Sequence, residues 1–215
     1  MKAITVTSVR RVAAFTLIEM IGVLSVLAIL ASMLLPRVFQ AISSARINEA
    51  VASCNGARVA INQYYGRYTR LGGVNGSDLG LSSGGIFPNW DVACLIPEGC
   101  LERPFQSRIA NSAQIRVVNI VGNIPDTPIA DSADALERGA YNRNGTGAIN
   151  DVIGSWIVEA CLEGVDNQDA IELSLLLDGP TLTAAAGSSD EIGRVKYFFN
   201  PDTRTASVRV YLSHR

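Results

Sequence analysis

The stretch Phe15-Thr-Leu-Ile-Glu19-Met-Ile-Gly-Val-Leu-Ser-Val-Leu-Ala-Ile-Leu-Ala-Ser-Met-Leu-Leu35 is apolar apart from one carboxylate, and it is the most informative segment of the chain. As a helix it would extend about 31 Å, which matches the hydrocarbon thickness of a bilayer. A carboxylate at mid-bilayer opposes insertion by about 2.5–3.5 kcal/mol, so an acid within such a segment is a candidate functional residue. Glu19 is therefore the first residue to be explained.

The residues on either side of this segment predict its orientation in a membrane. Three cations precede it, Lys2, Arg10 and Arg11, whereas only Arg37 follows directly. The positive-inside rule places the N-terminus in the cytoplasm and the rest of the chain across the membrane. A cleaved secretory signal is the alternative. It would need a small-x-small site after the apolar core, and only a weak one, Val26-Leu-Ala28, lies within it.

The helical pattern continues beyond the apolar segment. Pro36 lacks an amide donor and is expected to bend or interrupt the helix rather than end it. After it, apolar residues recur at spacings of three and four, which predicts an amphipathic helix reaching Tyr68 and packed on a globular part. The residues of this stripe are Ile47, Ala50, Cys54, Ala57, Ile61, Tyr64 and Tyr68.

The rest of the chain predicts an α+β fold, with the long helix packed on an antiparallel sheet. Glycines between residues 70 and 104 indicate loops. Alternating apolar residues on both sides of Asn200-Pro-Asp-Thr203 predict a C-terminal hairpin, with strands at 195–199 and 208–212. A short helix is expected at residues 131–138, capped by Asp131. Three further strands are predicted, at residues 115–121, 155–162 and 171–177.

The net charge argues against bulk nucleic-acid binding. The full chain carries −2, and removing the leader with its three cations and no acids leaves 15 basic against 20 acidic residues. An acidic domain repels phosphate backbones, so nucleic acid is not an expected partner, although a local basic patch is compatible with this charge.

The four cysteines, Cys54, Cys94, Cys100 and Cys161, allow three full pairings. No CxxC spacing is present, and His214 is the one histidine, so a zinc site is not expected. Export would favour disulfides over free thiols. Cys94 and Cys100 bracket a Pro/Gly loop and are candidate partners, and Cys54 with Cys161 is the hypothesis for the second bond.

The sequence offers no clear catalytic chemistry. Any histidine-dependent nucleophile would have to use His214, one residue from the end of the sequence. No phosphate-binding loop is present, and the acids of the C-terminal half lack calcium-ligand spacing. No enzymatic activity, cofactor or metal is therefore expected.

The residues Arg10-Arg-Val-Ala-Ala14-Phe15-Thr-Leu-Ile-Glu19-Met resemble the prepilin processing motif of the type IV filament superfamily. This superfamily includes type IV pilins, type II secretion pseudopilins and competence pseudopilins. The resemblance covers about the first 60 residues, from the basic leader through Pro36 to the amphipathic helix. One residue departs from the pattern: the family usually has glycine before the cleavage point, where this chain has Ala14.

The resemblance implies a processing and assembly pathway. Prepilin peptidase would cleave after Ala14 and methylate the new amine of Phe15, and an inner-membrane platform would assemble the subunits into a filament. Glu19 of one subunit is expected to neutralise the Phe15 amine of a neighbour, because either charge alone would be costly among apolar helices. Family filaments often unwind between positions corresponding to Gly22 and Pro36. The alternative is that Gly22 only permits close helix packing.

The resemblance also implies a domain organisation: a leader (1–14), a transmembrane and filament-core helix (15–35), its amphipathic continuation (36–68) and a pilin-type α+β head (69–215). The expected protein is a single-pass inner-membrane subunit with a periplasmic head, contacting lipid before it assembles and other subunits afterwards. The alternative is a membrane-anchored binding module or adhesin that does not polymerise. A secreted enzyme is a third hypothesis. The sequence does not distinguish secretion, retractile and DNA-uptake filaments.

Overall fold

One long helix, α1 (Leu17–Tyr68), occupies the N-terminal third of the chain. Pro36 lies inside α1, and the helix continues on both sides of it, as predicted. The chain forms two compact units, Met1–Ile42 and Ser43–Arg215, so the boundary falls within α1. The structure is a computed structural model that describes residues 16–82, 84–120, 141–145, 155–184 and 188–215.

The second unit contains a five-stranded sheet with the strand order β1-β2-β3-β5-β4. Every neighbouring pair in this sheet is antiparallel, which confirms the predicted α+β class. A second helix, α2 (Asn167–Asp178), follows β3. The strands are β1 (Ile86–Phe87), β2 (Ser112–Asn119), β3 (Trp156–Asp166), β4 (Val195–Asn200) and β5 (Thr205–His214).

The apolar stripe of α1 is the side that packs on the sheet. Six of its seven predicted residues, from Ile47 to Tyr64, are buried, and Tyr68 is half-buried. They share one core with alternate residues of the sheet, such as Val158 and Val208. The strand period of two places these residues on one face, and burying them against the helix provides the main stabilisation of this unit.

The loop between α1 and β2 is attached to this core by an aromatic residue and an acid. Trp90 is fully buried, and its indole Nε1 donates to the carbonyl oxygen of Gly72 at 2.7 Å. The next residue, Asp91, is buried and accepts from the backbone N–H groups of Phe105 (2.9 Å) and Ile115 (3.2 Å). Asp91 thereby ties the loop to Ile115, the fourth residue of β2, where the buried part of that strand begins.

The predicted strand at residues 171–177 is wrong, because these residues belong to α2. Asp166 caps this helix, and its carboxylate accepts from the backbone N–H of Gln168 at 2.9 Å. Ala170, Ile171 and Leu173 turn to the core with helical spacing. The period of a short apolar run does not distinguish a strand from a buried helix face. The capping residue Asp166 is the more informative signal here.

The other strand predictions are confirmed, with shifted ends. β2 begins three residues before the predicted strand and β3 extends four residues beyond it. The C-terminal hairpin is formed by β4 and β5 around the predicted turn. The helix predicted at residues 131–138 lies outside the described residues.

The four cysteines are free thiols in the structure. Cys54 lies in the core between α1 and the sheet. Cys161 follows Ala160, which faces that core, and therefore points to the opposite face of the sheet. The Cys54–Cys161 hypothesis is incompatible with this arrangement because the sheet separates the two thiols. The Cys94–Cys100 bond stays a prediction.

Replacing Asp91 with alanine is expected to destabilise the second unit by about 2–4 kcal/mol. The variant would leave two buried N–H groups without their acceptor. Thermal unfolding of the detergent-solubilised full chain measures the change. Asp202→Ala, at an exposed turn position, is the matched control and should unfold like the wild type. Equal melting temperatures for both variants would contradict the proposed role of Asp91.

Candidate functional site

Glu19 lies in the first turn of α1 and forms a reciprocal pair of contacts with Thr16. The Glu19 backbone N–H donates to Thr16 Oγ1 at 3.3 Å. In return, Glu19 Oε2 accepts from the Thr16 backbone N–H at 3.4 Å and from its hydroxyl at 3.3 Å. This is a capping box. The Thr-x-x-Glu spacing was present in the sequence but was not recognised there as a helix start.

The capping box changes the energetic cost of the acid. The first turn of a helix leaves backbone N–H groups without intrahelical acceptors, and each is costly in an apolar medium. The carboxylate of Glu19 also lies at the positive end of the helix dipole. The Glu19 carboxylate, which opposes membrane insertion, is thus held beside Thr16, the residue after Phe15. Glu19 Oε1 accepts no hydrogen bond from the described residues.

The segment after Glu19 exposes its side chains on all sides. Every residue from Thr16 to Ile42 is exposed, and its large apolar side chains are between 48% (Met20) and 77% (Leu17) accessible. We call residues 17–42 the anchor segment. Soluble monomers rarely expose so continuous an apolar surface. Among the described residues, α1 is the one helix long and apolar enough to cross a membrane.

The two serine hydroxyls of the anchor segment are bonded inside the helix. Ser25 Oγ donates to the Gly22 carbonyl oxygen, and Ser32 Oγ donates to that of Ile29, each at 2.8 Å. Such bonds allow hydroxyls to enter an apolar environment. A Cβ added at Gly22 would meet no atom within 4 Å. Packing within this chain therefore does not require a glycine there, although glycine lowers helix stability by about 1 kcal/mol relative to alanine.

The predicted assembly residues that the structure describes do not form one cluster. Ala14 and Phe15 lie outside the described residues. Glu19, Gly22 and Pro36 all lie on α1, and the 17 positions between the first and the last correspond to about 25 Å along the helix. Glu19 and Pro36 therefore act separately, each through its own contacts with neighbouring residues or with other molecules.

The sheet face opposite α1 carries buried charges that the sequence analysis did not predict. Glu159 of β3 is fully buried and accepts from Arg116 Nε and from the Tyr141 hydroxyl, each at 2.5 Å. Lys196 Nζ lies 4.2 Å from the centre of the Tyr141 ring. Burial lowers the pKa of Lys196 to about 8. These groups are buried, so we interpret the cluster as a structural polar layer on this face of the sheet.

Asp178, the last residue of α2, and Asp190 both have raised pKa values. Burial raises the pKa of Asp178 to about 6, although its Oδ2 accepts from the backbone N–H groups of Arg194 (2.9 Å) and Val195 (2.8 Å). Burial also raises the pKa of Asp190. Within the described parts of the chain, no group of three or more His, Cys, Asp or Glu residues could hold a metal ion.

Comparison with known proteins identifies the N-terminal segment. A family model described as the prokaryotic N-terminal methylation motif matches residues 9–35. The match includes Ala14, Phe15, Glu19 and Gly22 and ends at the residue before Pro36. Comparisons with curated proteins and with solved structures find no match.

The raised pKa of Asp178 predicts a pH-dependent stability. Because the folded state binds this proton more tightly than the unfolded chain, stability should increase as the pH falls from above 6 towards 4. Asp178→Asn keeps an oxygen acceptor and removes the titration. Its melting temperature should exceed that of the wild type at pH 7.5 and rise less on acidification.

Melting curves at pH 7.5 and 4.5 test this expectation on the detergent-solubilised full chain. Asp202→Asn is the control, since this exposed residue should leave the pH dependence unchanged. If Asp178→Asn and the wild type gained the same stability on acidification, Asp178 would not be the responsible group.

Proposed function

We propose that this chain is a structural subunit which assembles into a pilus or pseudopilus filament. It carries the N-terminal methylation motif, which is the hallmark of type IV pilins and pseudopilins. The α+β arrangement, a long N-terminal helix on an antiparallel sheet, is like that of the pilin fold. The observation that carries the proposal is the matched motif on a helix whose first 26 residues are exposed and, after Glu19, largely apolar.

The exposed anchor segment requires an apolar environment. Lipid provides one before assembly, and the packed helices of neighbouring subunits provide the other in a filament. Helices pack in such environments by van der Waals contact and close approach, to which small residues contribute. Gly22, with open space around it in the single chain, fits a close helix–helix contact that only a second molecule can provide.

Glu19 would specify the axial position of each subunit. Cleavage after Ala14 would create an α-amine at Phe15, whose methylation leaves it able to carry a positive charge. In a core of apolar helices, an isolated carboxylate and an isolated ammonium each carry a large desolvation penalty, and pairing them between subunits reduces both. Glu19 Oε2 accepts from Thr16, while Oε1 accepts no bond from the described residues, so the cap and the intersubunit pair are compatible.

The proposed location follows from the same segment. The subunit would span the inner membrane once, with its N-terminus in the cytoplasm and its head in the periplasm, and would move to a filament after processing. Its partners would be prepilin peptidase, the inner-membrane assembly platform and other subunits. Ala14 replaces the usual glycine before the cleavage point, and its small side chain supports cleavage at this bond.

Glu19 variants separate the charge pair from the helix cap. Glu19→Val should be cleaved and inserted but absent from the sheared filament fraction. Glu19→Gln retains an oxygen for Thr16 and loses the charge, so it should also fail to assemble. Immunoblots of membrane and sheared fractions measure both steps. Ser25→Ala, which removes one intrahelical bond, is the control and should assemble normally.

Two results of this experiment would contradict the proposal in different ways. Normal assembly of Glu19→Gln would show that the cap, rather than the charge pair, explains the acid. A wild-type chain that is processed but stays entirely in the membrane would instead support a monomeric anchored binding module.

Mass spectrometry of the mature N-terminus tests the processing step. The expected terminus is an N-methylated Phe15, and Ala14→Gly should be processed at least as completely as the wild type. A terminus at Met1 would show that the chain is not processed. A terminus beyond Ala28 would identify a secretory signal and contradict the pilin-type pathway.

A further inference from the structure

Three arginines from separate parts of the second unit meet at one end of the sheet. They are Arg58 of α1, Arg143 of the segment 141–145, and Arg215 just after β5. They surround Tyr211 and His214 of β5, whose side chains are hydrogen-bonded to each other. We call the three arginines, together with Tyr65, Tyr211 and His214, the arginine patch.

Each guanidinium of the patch is held by a carbonyl oxygen or an aromatic ring. Arg58 Nε donates to the Leu212 carbonyl oxygen at 3.1 Å. Arg215 lies 4.5 Å from the centre of the Tyr65 ring and donates to the His214 carbonyl oxygen at 2.9 Å. Arg143 lies 5.0 Å from the centre of the Tyr211 ring. These contacts orient the arginines but, among the described residues, involve no carboxylate.

The patch carries an uncompensated positive charge among the described residues. None of the three arginines forms an ion pair there, and the side chains of Arg143 and Arg215 are exposed. Burial, followed by the charges of Arg143 and Arg215, lowers the pKa of His214. His214 is therefore neutral at pH 7, and the charge of the patch is that of its arginines.

The rest of the chain has the opposite charge. Without the three leader cations and the three patch arginines, 12 basic residues remain against 20 acidic ones. The arginine patch is thus a local basic surface on an otherwise acidic molecule. Oriented guanidinium groups bind carboxylates through two hydrogen bonds, and little conformational entropy is lost when the arginines are already held in place.

We propose that the arginine patch docks an acidic surface of a second copy of this chain. The inference rests on the proposed filament, in which neighbouring copies are held at high effective concentration. Free nucleic acid is the less favoured partner, because the net negative charge of the chain repels a polyphosphate at long range and no tether offsets that repulsion.

Charge reversal in the full-length chain tests the proposal. Arg143→Glu combined with Arg215→Glu should reduce the sheared filament fraction about tenfold, since it replaces two attractive surface contacts by repulsive ones. Replacing both residues with lysine should retain most of the assembly. Arg70→Glu combined with Arg204→Glu makes the same charge change at two other exposed arginines and should assemble like the wild type.

A photo-crosslinking amino acid at Asn62 identifies the occupant. This exposed residue lies on the same face of α1 as Arg58 and Tyr65. The wild type should yield a product with the mass of two copies, whose yield falls with increasing salt, and in which the crosslinked peptide of the second copy contains Asp or Glu. The glutamate double variant should lose this product.

Several outcomes would overturn the inference. They are normal assembly of the glutamate double variant, equal loss in its charge-matched control, and crosslinks that form within one copy or to nucleic acid or lipid. Melting temperatures equal to that of the wild type exclude misfolding as the cause of a loss. If the wild-type chain itself forms no filament, the proposed function fails. If the wild type and the glutamate double variant assemble equally, only the arginine-patch inference fails.

Discussion

The burial of one face of α1 against the antiparallel sheet is the contact on which the second unit depends. The stripe from Ile47 to Tyr64 shares one core with the sheet and removes much of one sheet face from water. The loop after α1 packs against the same helix face, because Trp90 lies edge-on to Tyr64 with ring centres 5.1 Å apart. Asp91 then connects the same loop to β2. Helix, loop and sheet thus form one cooperative core.

The same helix meets a different requirement in its first half. Residues 17–42 are exposed, and their large apolar side chains favour cover by lipid or by other molecules. The first turn is capped by the Thr16–Glu19 box, and the Ser25 hydroxyl donates to a carbonyl oxygen of the same helix. A helix prepared in this way can leave lipid for a bundle of similar helices without exposing new polar groups. Its carboxylate keeps one oxygen for a partner.

Sequence reasoning succeeded where local pattern and environment agree. The stripe of α1 and the C-terminal hairpin each have a strong period, and both are present. It failed at α2, where Leu173 and its neighbours form a run too short for its period to be decisive. It also missed the buried Glu159 and the arginine patch. A charged residue on a strand is predicted to face solvent unless its partners are known. The partners of Glu159, Arg116 and Tyr141, are distant in sequence.

The N-terminal third of this protein can be predicted from its amino-acid sequence: the apolar length, the position of Glu19, the continuing amphipathic helix and the motif that the family model matches. These properties depend on residues within a few turns of one another, so their order along the chain is sufficient. The tertiary fold was needed to establish which cysteines share a face of the sheet and which charges are buried. It also decided where Arg58, Arg143 and Arg215 meet, because strand pairing between distant segments places those groups.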